Sequence, residues 1–83
     1  MMYPYMTFND DTEVPHSQML EDGSVKVYIE KPVEDGFKNL TCWLPKYEYE
    51  NHGYDENELK HWKEFIQNNA HIIIENGRSA SAE

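Results

Sequence analysis

Asp10, Asp11, Glu13 and His16 place three carboxylates and one imidazole within a seven-residue stretch near the start of the chain. Such a group has the donors to hold a hard cation, or to act as an acid–base pair if the segment folds back on itself. A calcium loop would also need a glycine at its sharp turn and a glutamate at its end. Neither is in place, so the stretch reads first as a solvated acidic turn, with these four residues as the only candidate metal or acid–base site. Four histidines, His16, His52, His61 and His71, raise the same question. His61 and His71 are ten residues apart, which on a helix sets them about 80° apart around the axis. No His-Glu-x-x-His pattern and no cysteine pair accompany them, so no cofactor is assigned. Cys42 alternates with leucines and reads as a small core residue rather than a nucleophile, which would need an exposed electropositive setting.

A second stretch carries more chemistry suited to recognition than to catalysis. Residues 47–58 hold Glu48, Glu50, Asp55, Glu56 and Glu58 with no lysine or arginine, interleaved with Tyr47, Tyr49 and Tyr54. Carboxylates favour the first turn of a helix because they complement its dipole. Beyond that duty, tyrosines supply rigid contact area and carboxylates steer a cationic partner. The expected partner-binding surface is therefore Tyr47, Glu48, Tyr49, Glu50, Tyr54, Asp55 and Glu56.

Charge supports that reading. The net charge is −9, from 16 acids against 7 bases. Up to Glu58 there are 13 acids and 4 lysines, whereas beyond it three acids face three bases. Nucleic-acid binding rests on lysine and arginine neutralising phosphates, so direct nucleic-acid binding is not expected. A basic protein is the expected partner. No apolar run approaches the roughly 20 residues of a spanning helix, and the start has no basic segment followed by an apolar core. A single cysteine forms no internal disulfide. A cytoplasmic, non-enzymatic, non-membrane protein is the expectation.

The elements that position these residues follow from period and punctuation. Residues 1–5 are read as a tail, residues 6–77 as one domain, and residues 78–83 as a frayed end. Residues 6–8 suggest a short strand before a polar turn. Asp22-Gly23 then sits between two strand-like runs as a hairpin signal, and Val25, Val27 and Ile29 alternate with Lys26, Tyr28 and Glu30, giving one buried and one solvated face. Residues 31–36 connect to a third strand in which Leu40, Cys42 and Leu44 share a face, ended by Pro45. Residues 47–50 suggest a fourth short strand.

Asp55 and Glu58 make a capping box, after which Leu59, Trp62, Phe65, Ile66, Ala70 and Ile73 recur at three- and four-residue steps. The spacing predicts a helix over residues 55–76, closed by Gly77 in a left-handed cap. The branched run Ile72, Ile73, Ile74 leaves a strand over residues 71–75 as an alternative. The expected fold is a small two-layer α+β domain: an antiparallel three- to four-stranded β-meander covered by one long C-terminal helix, in the order β-β-β-α.

This pattern resembles a family of small uncharacterised bacterial domains, often encoded near toxin–antitoxin-like genes, that combine a β-meander, one long helix and a His-x-Pro-Pro-His-x-His segment. The likeness covers residues 7–76 and is carried by Pro15-His16, the Asp22-Gly23 hairpin, Trp43-Leu44-Pro45 and Gly53-Tyr54 before the helix. Thr12, Val14 and Gln18 replace the motif's other histidines and its first proline, so no shared histidine role is carried over. The resemblance implies no reaction. Together with the charge pattern, it leads to the expectation of an acidic interaction module of the antitoxin-like or phage-inhibitor type, able to mimic nucleic-acid charge. The alternatives are a metal-dependent or acid–base enzyme site on Asp10, Asp11, Glu13 and His16, and a homodimer formed through Tyr47, Tyr49 and spare apolar residues such as Trp43 or Phe65.

Overall fold

A computed structural model describes residues 2–81. Five strands precede one helix: β1 (Met2–Thr7), β2 (Glu13–Met19), β3 (Val25–Val33), β4 (Gly36–Leu44), β5 (Glu48–His52) and α1 (Glu56–Ser81). Each strand pairs antiparallel with the next, so the sheet order is the chain order, β1-β2-β3-β4-β5. The α+β meander is as expected from the pattern, but it has five strands rather than three or four.

Strand β1 begins earlier than the short strand expected over residues 6–8. Residues 2–5, read as a tail, pair with β2 in the register Met2↔Ser17 and Tyr3↔His16, and a bulge follows between Pro4 and Met6. Tyr5 anchors the strand to the helix, its hydroxyl donating to Asn69 Oδ1 at 2.6 Å. The turn between β2 and β3 is also longer than two residues. Gly23 N donates to the Leu20 carbonyl at 2.9 Å, Leu20 N to the Ser24 carbonyl at 2.7 Å, and Gly23 takes a φ of 84°. This is a three-residue loop closed by a left-handed glycine. Beyond it β3 continues through Pro32 to Val33, and the return is made by Glu34-Asp35 alone.

Val25, Val27, Ile29, Leu40, Cys42 and Leu44 are all fully buried on one face of the sheet. From the helix, Trp62, Ile66, Ala70 and Ile73 meet them, as the three- and four-residue spacing requires. The capping box is formed in both directions: Glu58 N donates to Asp55 Oδ1 at 2.9 Å, and Asp55 N donates to Glu58 Oε1 at 3.0 Å. The isoleucine run over residues 71–75 is helical, because no turn interrupts the register set upstream.

The helix end differs from the expectation. Gly77 does not cap the helix; it lies inside it and is buried, and residues 78–81 continue the helix instead of fraying. An ideal Cβ at residue 77 would stand 2.7 Å from Val25 Cγ2 and 3.3 Å from the Ser17 carbonyl oxygen. The glycine is required by close approach of helix to sheet, and Ser81 Oγ donating to the Met19 carbonyl at 3.0 Å ties down the last turn. The helix has 26 residues, about 39 Å at 1.5 Å per residue, and so sets the 38 Å long dimension of the molecule. Among the described residues no helix is long and apolar enough to cross a membrane.

Candidate functional site

One helix covers one face of the sheet, and among the described residues the other face has no covering layer. Strand alternation assigns Lys26, Tyr28, Glu30 and Pro32 of β3 to this open side. Across it, the rows run Glu13↔Glu30↔Asn39↔His52, then Tyr28↔Thr41↔Glu50, then Lys26↔Trp43↔Glu48, with Phe37 opposite Pro32. Glu13, Glu30, Glu48 and Glu50 thus share a surface with Tyr28, Trp43, Phe37 and Lys26, and Lys46 borders it beside Trp43 and Glu48. Glu13 and Glu30 are direct cross-strand partners, an arrangement that costs stability when like charges face each other. Phe37 is 61% exposed, while Tyr28 and Trp43 are half-buried among their neighbours. The Lys26 ammonium lies 5.9 Å from the Trp43 ring centroid, a cation–π distance. Burial and the neighbouring Glu30 carboxylate push the Tyr28 phenol up from its ordinary value of 10.0.

The structure divides the expected binding residues. Glu48 and Glu50 lie on the open face, where Glu50 Oε1 is 3.2 Å from His52 Nε2. Tyr47 is exposed, but in the turn before β5 with a φ of 59°, so it does not line one side of a strand with Tyr49. Glu56 is exposed at the first helical turn. The other three have structural duties. Tyr54 is a core residue, 5% exposed, with its hydroxyl donating to the Ile29 carbonyl at 3.3 Å. Asp55 caps α1. Tyr49 points to the helix side beneath Lys63, whose ammonium is 4.7 Å from the ring centroid.

Alternation along β2 likewise separates the candidate metal residues. Glu13 faces the open side, whereas His16 is 3% exposed on the helix side, with Nδ1 2.8 Å from the Ser17 carbonyl oxygen. Asp10 closes a turn instead, accepting from Thr12 N at 3.1 Å and pairing with Lys31 at 3.4 Å. Among the described residues no three histidine, cysteine, aspartate or glutamate side chains converge on a metal-sized point. A cleft of about 560 Å³ does lie between the β1–β2 loop and the start of α1, lined by Phe8, Asp10, Lys31, Glu58, His61 and Trp62. Its carboxylates already have cations, Asp10 with Lys31 and Glu58 with Lys38 at 3.1 Å.

Cys42 is fully buried opposite Tyr49, whose hydroxyl makes no hydrogen bond among the described residues. Burial pushes the thiol from 9.0 to about 11, and the Tyr49 and Tyr54 phenols from 10.0 to about 12. These values lie above those of an unfolded chain, so the neutral groups stabilise the fold below pH about 9. That contribution is lost as pH rises through about 11 for the thiol and about 12 for the phenols. Urea unfolding followed between neutral pH and pH about 11 is expected to show a falling midpoint, with a shallower fall in Cys42→Ala. A midpoint that holds steady across this range would contradict the assignment.

Tyr28, Glu30 and Phe37 carry no site signal in the sequence, and Trp43 enters there only as a contact of the alternative homodimer. The alternation of β3 marked Tyr28 and Glu30 as solvated, but their juxtaposition with Trp43 and Glu48 depends on register, which no local motif specifies. Comparison of the chain with protein-family models, with curated proteins and with solved structures finds no match.

Proposed function

We propose that this chain is a small acidic interaction module that binds a basic protein partner through the open face of its sheet, as an antitoxin-like or phage-type inhibitor would. The observation that carries the reading is the Glu13, Glu30, Glu48 and Glu50 set arranged around Tyr28, Trp43 and Phe37. Like charges placed in cross-strand register are unfavourable in the isolated domain, and a cationic partner relieves them. Aromatic rings in the same patch supply the apolar contact that charge alone lacks. Binding of this kind weakens as salt rises, because exposed charges are screened over about 8 Å at physiological ionic strength.

The test is affinity capture from the native host with two variants of equal charge change. Glu13→Gln, Glu30→Gln, Glu48→Gln and Glu50→Gln together should release a basic protein that the parent retains. Changing Glu21, Glu34, Glu64 and Glu75, which lie off the open face, should leave capture intact. Equal loss in both variants, or capture of no basic protein by the parent, rules the reading out.

A further inference from the structure

Resting on that reading, we infer that the partner docks as an extended strand along the free edge of β5, with lysine or arginine side chains alternating onto the open face beside Glu48 and Glu50. The sheet has two edges, and they are built differently. Strand β1 has Pro4, which offers no amide, and a bulge between Pro4 and Met6, both of which discourage addition of a further strand. Among the described residues strand β5 pairs only with β4, through residues 48–52 in unbroken register, and it has neither proline nor lysine. Among the described residues, no backbone hydrogen bond outside the sheet ladder involves residues 48–52. An edge of this kind is a template for main-chain pairing.

The chemistry of the side chains selects the occupant. Two copies of β5 meeting about a two-fold axis overlap fully only when centred on Glu50. That register sets the two Glu50 carboxylates directly opposite each other, and each chain carries a net charge of −9. Self-pairing is therefore opposed by charge. A strand with basic residues at every second position meets Glu48 and Glu50 as opposite-charge cross-strand neighbours instead. The helix side of the edge is already closed, since Tyr49 is held beneath Lys63. The incoming strand's other face therefore meets a half-buried ring and a cation, which suits small or apolar residues between the basic ones.

An alternating lysine–valine peptide tests this against the parent chain, read by isothermal titration and by amide hydrogen exchange at residues 48–52. Three further titrations accompany it: the same peptide N-methylated at every residue, a glutamate–valine peptide, and the lysine peptide against Glu48→Gln with Glu50→Gln. Slowed exchange at β5 with the lysine peptide is expected, together with roughly tenfold weaker binding in each of the three companions. Equal binding of the N-methylated peptide, which keeps the charge but cannot pair, would overturn the edge assignment while leaving open-face recognition standing. Slowed β5 exchange that grows with protein concentration in the absence of peptide would show a second copy at the edge and overturn the basic occupant. Absence of any binding by the lysine peptide overturns the inference as well. Failure of the proposed function is read separately, from the native-host capture.

Discussion

Trp62→Ala is expected to lower the free energy of unfolding by about 3–5 kcal/mol. A chain of this length holds roughly 4–12 kcal/mol in total. Trp62 is 7% exposed and is the hub of the aromatic packing, with ring centroids 5.3 Å from Phe8, 5.7 Å from Phe65 and 6.4 Å from Tyr54. Edge-on pairs of this kind add about 0.5–1.5 kcal/mol beyond area burial. Truncation removes the indole from contact with these rings and leaves a cavity where α1 meets the β1–β2 loop. The measurement is urea unfolding by circular dichroism, since Trp43 would confuse a fluorescence signal. A loss below about 1 kcal/mol, the level of an ordinary substitution, would mean that the indole is not the keystone of this core.

Gly77→Ala carries the next largest effect, and its sign is the informative part. On an exposed helical surface the change gains about 1 kcal/mol of helix propensity. Here the added methyl would stand 2.7 Å and 3.0 Å from the two γ-methyls of Val25. Overpacking of that order costs typically 1–3 kcal/mol, so a net destabilisation of up to about 2 kcal/mol is expected. Val25→Ala removes the obstructing methyls, and in the double variant the two losses should be clearly less than additive. If Gly77→Ala stabilises the protein, the close approach of helix and sheet is wrong.

These two residues also show what could be read from sequence and what could not. The alternation of Val25, Val27 and Ile29, the shared face of Leu40, Cys42 and Leu44, and the Asp55 and Glu58 capping box are local signals, and each appears in the structure as read. Gly77 was ambiguous because a glycine that ends a helix and one that lets a helix touch a sheet are the same residue; only the packing partner, Val25, separates them. The first part of β1, residues 2–5, was hidden because Pro4 breaks its pattern and its stabilising contacts, Tyr3 with His16 and Tyr5 with Asn69, reach residues far along the chain. The candidate site was half legible. Glu48 and Glu50 stand out by composition, whereas Tyr54 looks like a surface tyrosine until its hydroxyl is seen to reach the Ile29 carbonyl.

The helix follows all five strands in the chain, and this order has a consequence for how the protein is made. Synthesis delivers the meander before its cover, so the face bearing Val25, Val27, Ile29, Leu40 and Leu44 waits for Trp62, Ile66 and Ile73 to leave the ribosome. A sheet with its apolar side bare is a sticky species, and nascent chains on neighbouring ribosomes are close enough to find one another. The carboxylates of the opposite face are translated before the helix, and like charge of this kind opposes such association.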